Sequence, residues 1–120
     1  MEVGRLKRRA DFLRLARSGR RTASQGLVLQ AAPMPPQVDE TAAIRIGFTA
    51  SKKVGNAVRR NRAKRRLRAL VAEHLPTRAE TGNDYVLIAR AATVDRDFGD
   101  LTNDLLHALK RLKLLRGERV

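Results

Sequence analysis

The fold is decided by residues 43–75, which read AIRIGFTASKKVGNAVRRNRAKRRLRALVAEHL. Residues 43–50 alternate with period two, which predicts a strand that places Ile44, Ile46 and Phe48 on one face. Residues 57–75 carry apolar side chains at helical spacing, with Asn56 as the N-cap and Pro76 as the end of the helix. The stretch therefore predicts a strand, a polar turn and a long helix in immediate succession.

The flanking sequence adds shorter elements of both kinds. The patterns predict a helix over 8–18, strands over 22–24, 26–32 and 84–90, and a final helix over about 97–115. Pro33, Pro35, Pro36 and Asp39–Glu40 predict a loop between the second and third strands. The order α-β-β-β-α-β-α predicts a two-layer α+β sandwich with a mostly antiparallel sheet, the last two helices on one face and the other face partly open. Without internal repeats, residues 1–120 are expected to form a single domain.

The composition identifies the kind of partner. Lys and Arg number 26 against 12 Asp and Glu, so the formal net charge is +14, and Cys is absent. The lack of Cys excludes disulfides and thiolate metal sites, and the longest apolar run, residues 85–89, is far too short to span a membrane. A charged N-terminal segment predicts a cytoplasmic protein. Its partner is expected to be a polyanion that carries phosphates, in preference to an anionic membrane.

The positive charge is concentrated in two segments. Residues 5–21 contain eight Lys or Arg and one acid, and residues 52–68 contain nine and no acid. A helical projection of residues 57–75 separates a core side, composed of Ala63, Leu67, Leu70 and Val71, from a cationic side, composed of Asn61, Arg62, Arg65 and Arg68. Lys64 and Arg66 flank the boundaries, and Arg60 is expected to reach out from the core side at the helix start. Arginine stays charged and can bind a phosphate through two donors, so this helix predicts a phosphate-binding face.

Other sites find less support in the sequence. Lys52 and Lys53 lie at a glycine turn before a helix, which suits an anion, but the spacing does not match a P-loop. Asp97, Asp100 and Asp104 have helical spacing, yet an N-cap and first-turn role explains Asp97 and Asp100 better than a metal site. No Ser/His/Asp set is recognisable, so the chain itself is expected to hold no catalytic residue and no metal. A DNA-binding role is disfavoured because no helix-turn-helix spacing precedes the basic helix.

The basic segment resembles the protein component of bacterial ribonuclease P. The resemblance lies in Ser51–Arg68, which is similar to the "RNR" signature of that family, and it extends to Arg5–Phe12 and Asp84–Arg90. It implies a fold like domain 2 of ribosomal protein S5, with a left-handed β-α-β crossover through the basic helix. It also implies that a catalytic RNA subunit, with Mg²⁺, removes the 5′ leader of precursor tRNA, while the protein binds that RNA and the leader. A different basic RNA-binding module of ribosomal-protein type is the alternative.

The resemblance also assigns roles to individual residues. It implies contacts to the catalytic RNA from Lys52, Lys53, Asn56, Arg60, Asn61, Arg62, Lys64, Arg65 and Arg68. It places the leader in a cleft between the first helix and the open sheet face, where Phe12 matches a leader-contacting aromatic residue. Ala16 and Gln30 stand where relatives can carry aromatic residues, so phosphate contacts from Arg14, Arg17 and Arg45 are expected to supplement stacking.

Overall fold

A computed structural model describes residues 3–36 and 42–117 of the chain. The strands are β1 (Val3–Arg5), β2 (Arg20–Ala23), β3 (Leu27–Pro33), β4 (Ile44–Thr49) and β5 (Asn83–Ala89). The helices are α1 (Arg9–Ser18), α2 (Ala57–Arg78) and α3 (Phe98–Arg111). Single 3-10 turns, Lys52–Val54 and Ala91–Val94, precede α2 and α3. The predicted α+β class and element order are confirmed, with β1 added before the first helix.

The strands form one sheet in the order β1-β4-β5-β3-β2. β4 pairs in parallel with both β1 and β5, whereas β3 pairs antiparallel with β5 and with β2. The prediction of a mostly antiparallel sheet is therefore wrong, because half of the pairings are parallel. Since α2 connects β4 to its parallel neighbour β5, these three elements form a β-α-β unit.

The two faces of the sheet carry different layers, as predicted. α2 and α3 cover one face and form the main core with Ile44, Ile46, Tyr85 and Leu87. On the opposite face α1 covers only part of the sheet, where Leu15 packs with Ala32 and Val86 in a smaller cluster. The alternation along β4 produces this division, since Ile44 and Ile46 enter the main core while Arg45 and Gly47 point to the α1 side.

Two predicted helix ends are corrected. α2 continues through Pro76 to Arg78, because a proline near the end of a helix removes only one late hydrogen bond, and Ala79 N–H still donates to the Leu75 carbonyl. α3 ends at Arg111 rather than near 115, because Lys113 adopts a positive φ of 59° and turns the chain. The predicted loop residues Asp39–Glu40 lie outside the described residues.

The helices of the described ranges include none that is both long and apolar enough to cross a bilayer.

Candidate nucleic-acid interface

The turn before α2 is held by side-chain caps. The Ser51 hydroxyl oxygen accepts a hydrogen bond from Lys53 N–H, and Asn56 Oδ1 accepts one from Arg59 N–H at 2.9 Å. Between them Gly55 has a φ of 138°, a conformation that residues with a Cβ rarely adopt. The predicted N-cap role of Asn56 is therefore confirmed. Lys52 and Lys53 are left exposed at the entrance to the helix.

The cationic side of α2 is exposed along its length. Asn61, Arg65 and Arg68 are exposed, and Lys64 is half-buried. Ala63, Leu67 and Leu70 of the opposite side are fully buried, as the helical projection predicts. Within the described residues, no hydrogen bond or ion pair engages Asn61, Lys64 or Arg65, so these side chains can bind an external ligand.

Other arginines of α2 hold the protein together. Arg62 is exposed, yet its Nε donates to the Val94 carbonyl at 3.0 Å. Arg66 donates to the carbonyls of Thr93 and Arg96, so it ties α2 to the 3-10 turn after β5. Half-buried Arg60 donates from Nη1 back to the Gly55 carbonyl at 3.2 Å, in line with the predicted outward reach. The predicted RNA contacts of Arg60 and Arg62 would therefore be made by the guanidinium N–H groups that do not take part in these hydrogen bonds.

Beside α1, where the resemblance implies a leader cleft, an aromatic ring lies close to a glycine of the sheet. Phe12 of α1 is half-buried and packs on the smaller cluster. Its ring lies so close to Gly47 that a Cβ added there would be 2.6 Å from Phe12 Cζ. Gly47 thus allows the ring to lie directly on the sheet. Gln30 is buried in β3 on this same side, and Ala16 is exposed on α1.

An ion cluster around buried Asp84 fixes α1 to the sheet. Asp84 of β5 is fully buried and accepts from Arg45 Nε at 2.8 Å and from Arg45 Nη2 at 2.7 Å. The same carboxylate accepts from Arg14 of α1, and Asp11 lies 3.6 Å from Arg45 Nη2. Two carboxylates therefore offset much of the charge of Arg14 and Arg45, whereas Arg17 is exposed.

Asp97, Asp104 and His74 each have a partner within the protein. Asp97 caps α3 by accepting from Asp100 N–H, which confirms the predicted capping role. Asp104 accepts from Arg96 Nε at 2.6 Å, and this hydrogen bond raises the pKa of Arg96. His74 lies 3.3 Å from the Thr102 hydroxyl of α3. Over residues 3–36 and 42–117 no group of three or more His, Cys, Asp or Glu could hold a metal ion.

Sequence reasoning misses three contributors to these surfaces. Strand β1 has only three residues, too few for a period to be recognised. The Arg45–Asp84 pair joins residues that become direct neighbours only in the register of β4 with β5. The role of Arg66 depends on where the turn after β5 returns to α2. In the sequence, the only signal is that Arg45 and Asp84 are charges in otherwise apolar strands.

Comparison with known proteins identifies the family. The sequence model of the Ribonuclease P family matches residues 2–113. The chain belongs to the ribonuclease P protein family. A ribonuclease P protein component from Paramagnetospirillum magneticum is 53% identical over 113 residues, which cover 94% of this chain and 85% of that protein. One from Listeria innocua is 35% identical over 112 residues, which cover 93% and 90%.

Solved structures of the family have the same fold. The Staphylococcus aureus RNase P protein superimposes with a TM-score of 0.74 at 32% identity, over 93% of this chain and 97% of that one. The RNase P protein from Thermotoga maritima superimposes with a TM-score of 0.72 at 29% identity, over 89% and 96%. The resemblance seen in the basic segment is thus confirmed over almost the whole chain. The family places this chain in a tRNA-processing ribonucleoprotein as its protein component.

Proposed function

We propose that this ribonuclease P protein binds the catalytic RNA through α2 and the 5′ leader of precursor tRNA in the cleft beside α1. The RNA subunit then carries out the cleavage that produces the mature 5′ end. The observation that carries the proposal is the exposed cationic side of α2, in a segment with no acid from residue 52 to residue 72. A solvated helix face normally mixes charges of both signs, whereas this one suits a row of phosphates.

The α2 surface provides contacts of two kinds. Arg65 and Arg68 present planar guanidinium groups that can each bind a phosphate through two donors. Asn61 lies between them and the start of the helix, and its amide can bind a base edge or a 2′-hydroxyl. Lys52 and Lys53 extend the positive surface beyond the N-terminus of α2, where the helix dipole also favours an anion. Together these residues follow an RNA backbone along the helix.

The cleft combines one ring with a cation at its margin. Phe12 supplies a face on which a leader base can stack, which is worth about 1–3 kcal/mol per base. Arg17 is exposed on α1 and is available for a leader phosphate. Arg14 and Arg45 contribute to leader binding mainly by holding α1 in place, because Asp84 and Asp11 already engage them. Charge and one aromatic ring, rather than several stacked rings, support leader binding.

Mg²⁺ belongs to the RNA in this proposal. The donor set of the described residues does not fit a protein-held ion, because Asp84 and Asp104 are bonded to arginines and no group of three or more His, Cys, Asp or Glu among these residues could hold one. A protein that neutralises phosphates lowers the repulsion between catalytic RNA and substrate, which is a task that Mg²⁺ otherwise shares. The protein is expected to act in the bacterial cytoplasm.

Reconstitution tests the proposal. The purified protein is mixed with a bacterial ribonuclease P RNA and a leader-bearing precursor tRNA at low Mg²⁺, and 5′ cleavage is followed on a gel. We expect faster cleavage than with the RNA alone. No gain would refute the proposal, and cleavage by the protein alone would show that catalysis does not belong to the RNA.

A charge-matched comparison tests the α2 surface. Arg62 and Arg65 are replaced together by Ala, and Kd for the catalytic RNA is measured over a range of salt concentrations. The slope of the logarithm of the association constant against the logarithm of the salt concentration should become less steep by about 0.7–0.9 for each phosphate that the double variant no longer binds. The control replaces Lys110 and Arg111 of α3 by Ala, which removes the same charge elsewhere. Equal slopes for both double variants would mean that net charge, rather than the α2 surface, determines binding.

A further inference from the structure

An apolar cavity opens at the β1 edge of the sheet. It has a volume of about 400 Å³ and lies between β1, β4 and the C-terminal half of α2. Phe48 and Val3 line it from the strands, and Ala72 and Pro76 line it from the helix. Because Phe48 lies on the face opposite Gly47, the cavity is separated by the sheet from the leader cleft. None of the contacts proposed above uses its apolar interior.

The cationic side of α2 continues into this cavity. Asn61, Arg65, Arg68, Ala72 and Pro76 follow one another at intervals of three or four residues, so they lie along one side of the helix. The first three are polar or charged and exposed, whereas the last two are small or apolar and line the cavity. Arg68 and Pro76 are separated by about 12 Å along the axis. Because Arg68 itself lines the cavity, an RNA strand that follows the cationic residues reaches the mouth of the cavity directly.

The mouth of the cavity is positively charged. The Arg68 guanidinium carbon lies 5.7 Å from the centroid of the Phe48 ring, a cation–π distance. Exposed Arg5 of β1 lines the same cavity. An apolar interior with two guanidinium groups at its margin suits a ligand with a flat, weakly polar body and an attached anion. A second copy of this chain is a poor fit, because each copy carries a net charge of +14.

We propose that the cavity receives one unstacked nucleobase of the catalytic RNA. The base lies against Phe48, Ala72 and Pro76, and its phosphate lies between Arg5 and Arg68. The inference rests on the proposed function, since it takes α2 to face the catalytic RNA. It adds a site that reads the shape of the RNA, because only a nucleotide free of a helix can present its base in this way.

Filling the cavity tests the inference without changing charge. Ala72→Leu places a larger side chain in the cavity on an exposed, helix-compatible position. We expect the affinity for the catalytic RNA to fall about 5- to 150-fold, the range for loss of one stacked base. The slope of log K against log salt should stay unchanged, because no cation is lost. Chemical probing of the bound RNA should show one nucleotide that is protected by the wild type and reactive with the variant.

Ala69→Leu is the matched control, because Ala69 is exposed on the same helix but does not line the cavity. Equal losses in the two variants would assign the effect to the helix surface and overturn the inference. Wild-type affinity and an unchanged probing pattern for Ala72→Leu would overturn it too. Both variants are first checked by thermal unfolding. A wild-type dimer in sedimentation that Ala72→Leu dissociates would instead assign the cavity to a second copy.

Arg5→Gln provides a second line of test that leaves the cavity open. Loss of this phosphate partner should weaken RNA binding and flatten the salt slope by about 0.7–0.9. An unchanged slope would remove Arg5 from the site and contradict the proposed position of the phosphate. If the wild type itself does not bind the catalytic RNA, the proposed function fails. If the wild type binds the catalytic RNA and Ala72→Leu and Arg5→Gln bind it equally well, the proposed function stands and the nucleobase site fails.

Discussion

Replacement of Asp84 by Asn should destabilise the protein by about 3 kcal/mol, through the loss of a buried counter-charge. The Asp84 side chain is 0% exposed and that of Arg45 is 10% exposed, with hydrogen bonds of 2.7 and 2.8 Å between them. Removal of one member of a buried ion pair typically costs about 3–5 kcal/mol, because the other charge is left without compensation. Asp11 remains 3.6 Å from Arg45 and compensates in part, so we expect the lower end of that range.

Urea denaturation followed by circular dichroism measures this change, and the melting temperature should fall by about 10–15 °C. Asp95→Asn serves as the control, because Asp95 is 76% exposed and lies 3.9 Å from Arg59, an ion pair worth at most about 1 kcal/mol. The double variant Asp84→Leu with Arg45→Met removes both charges and should recover much of the lost stability. A loss below about 1 kcal/mol for Asp84→Asn would contradict this prediction, since it would mean that Asp84 contributes little to holding Arg45 in the interior.

Three further predictions concern the cleft, the start of α2 and the core. Gly47→Ala should cost about 1–3 kcal/mol in urea denaturation and weaken leader binding, because the new Cβ would lie 2.6 Å from Phe12 Cζ; wild-type values for both would contradict the packing of the ring on the sheet. Asn56→Ala should lose about 1 kcal/mol of stability, whereas Asn56→Ser, which keeps a capping oxygen, should lose much less; equal losses would show that the cap contributes little. Burial raises the pKa of Tyr85 well above its usual value, so the folded state keeps a proton that the unfolded chain releases above about pH 10. The stability due to neutral Tyr85 is complete below that pH and is lost as the pH rises towards the folded pKa, at up to about 1.4 kcal/mol per pH unit. The urea midpoint of the wild type should therefore fall above about pH 10 more steeply than that of Tyr85→Phe. Midpoints that fall equally with pH in both proteins would contradict this prediction.

Local periodicity was sufficient for the elements that decide the architecture. The period-two pattern of β4 and the helical spacing of Ala63, Leu67 and Leu70 both predict the side that enters the main core, and the structure places these apolar residues there. The pattern of β4 does not show that Arg45 and Gly47, on its other side, are buried too. Pro76 misleads because a proline is incompatible with a helix interior but tolerable near a helix end. Strand β1 has only three residues, and its pairing with β4 across some forty residues of chain leaves no local pattern.

The cationic side of α2 could be predicted from the sequence. Which of its arginines bond to the protein itself, and which have no such bond, could not be predicted. A projection places Arg62 and Arg65 together on the cationic side and Arg66 at its boundary, but it does not show which of them bind carbonyl oxygens of the protein. The difference arises because the turn at Thr93–Val94 brings carbonyl oxygens within reach of Arg62 and Arg66 and leaves Arg65 exposed. That turn follows β5, so its position depends on the register of the completed sheet. The pairing of Arg45 with Asp84 depends on the same register.

The strand order β1-β4-β5-β3-β2 also sets the order in which the protein can fold. β5 lies in the middle of the sheet and is the last strand of the described residues, so β4 and β3 have no common neighbour until residues 83–89 have been synthesised. Non-local pairing of this kind slows folding, because long loops must close before their contacts form. A nascent chain that ends before β5 carries both cationic segments but has neither the cleft nor the turn that holds α2. The RNA binding proposed for α2 and for the cleft would therefore require a chain that extends at least through β5.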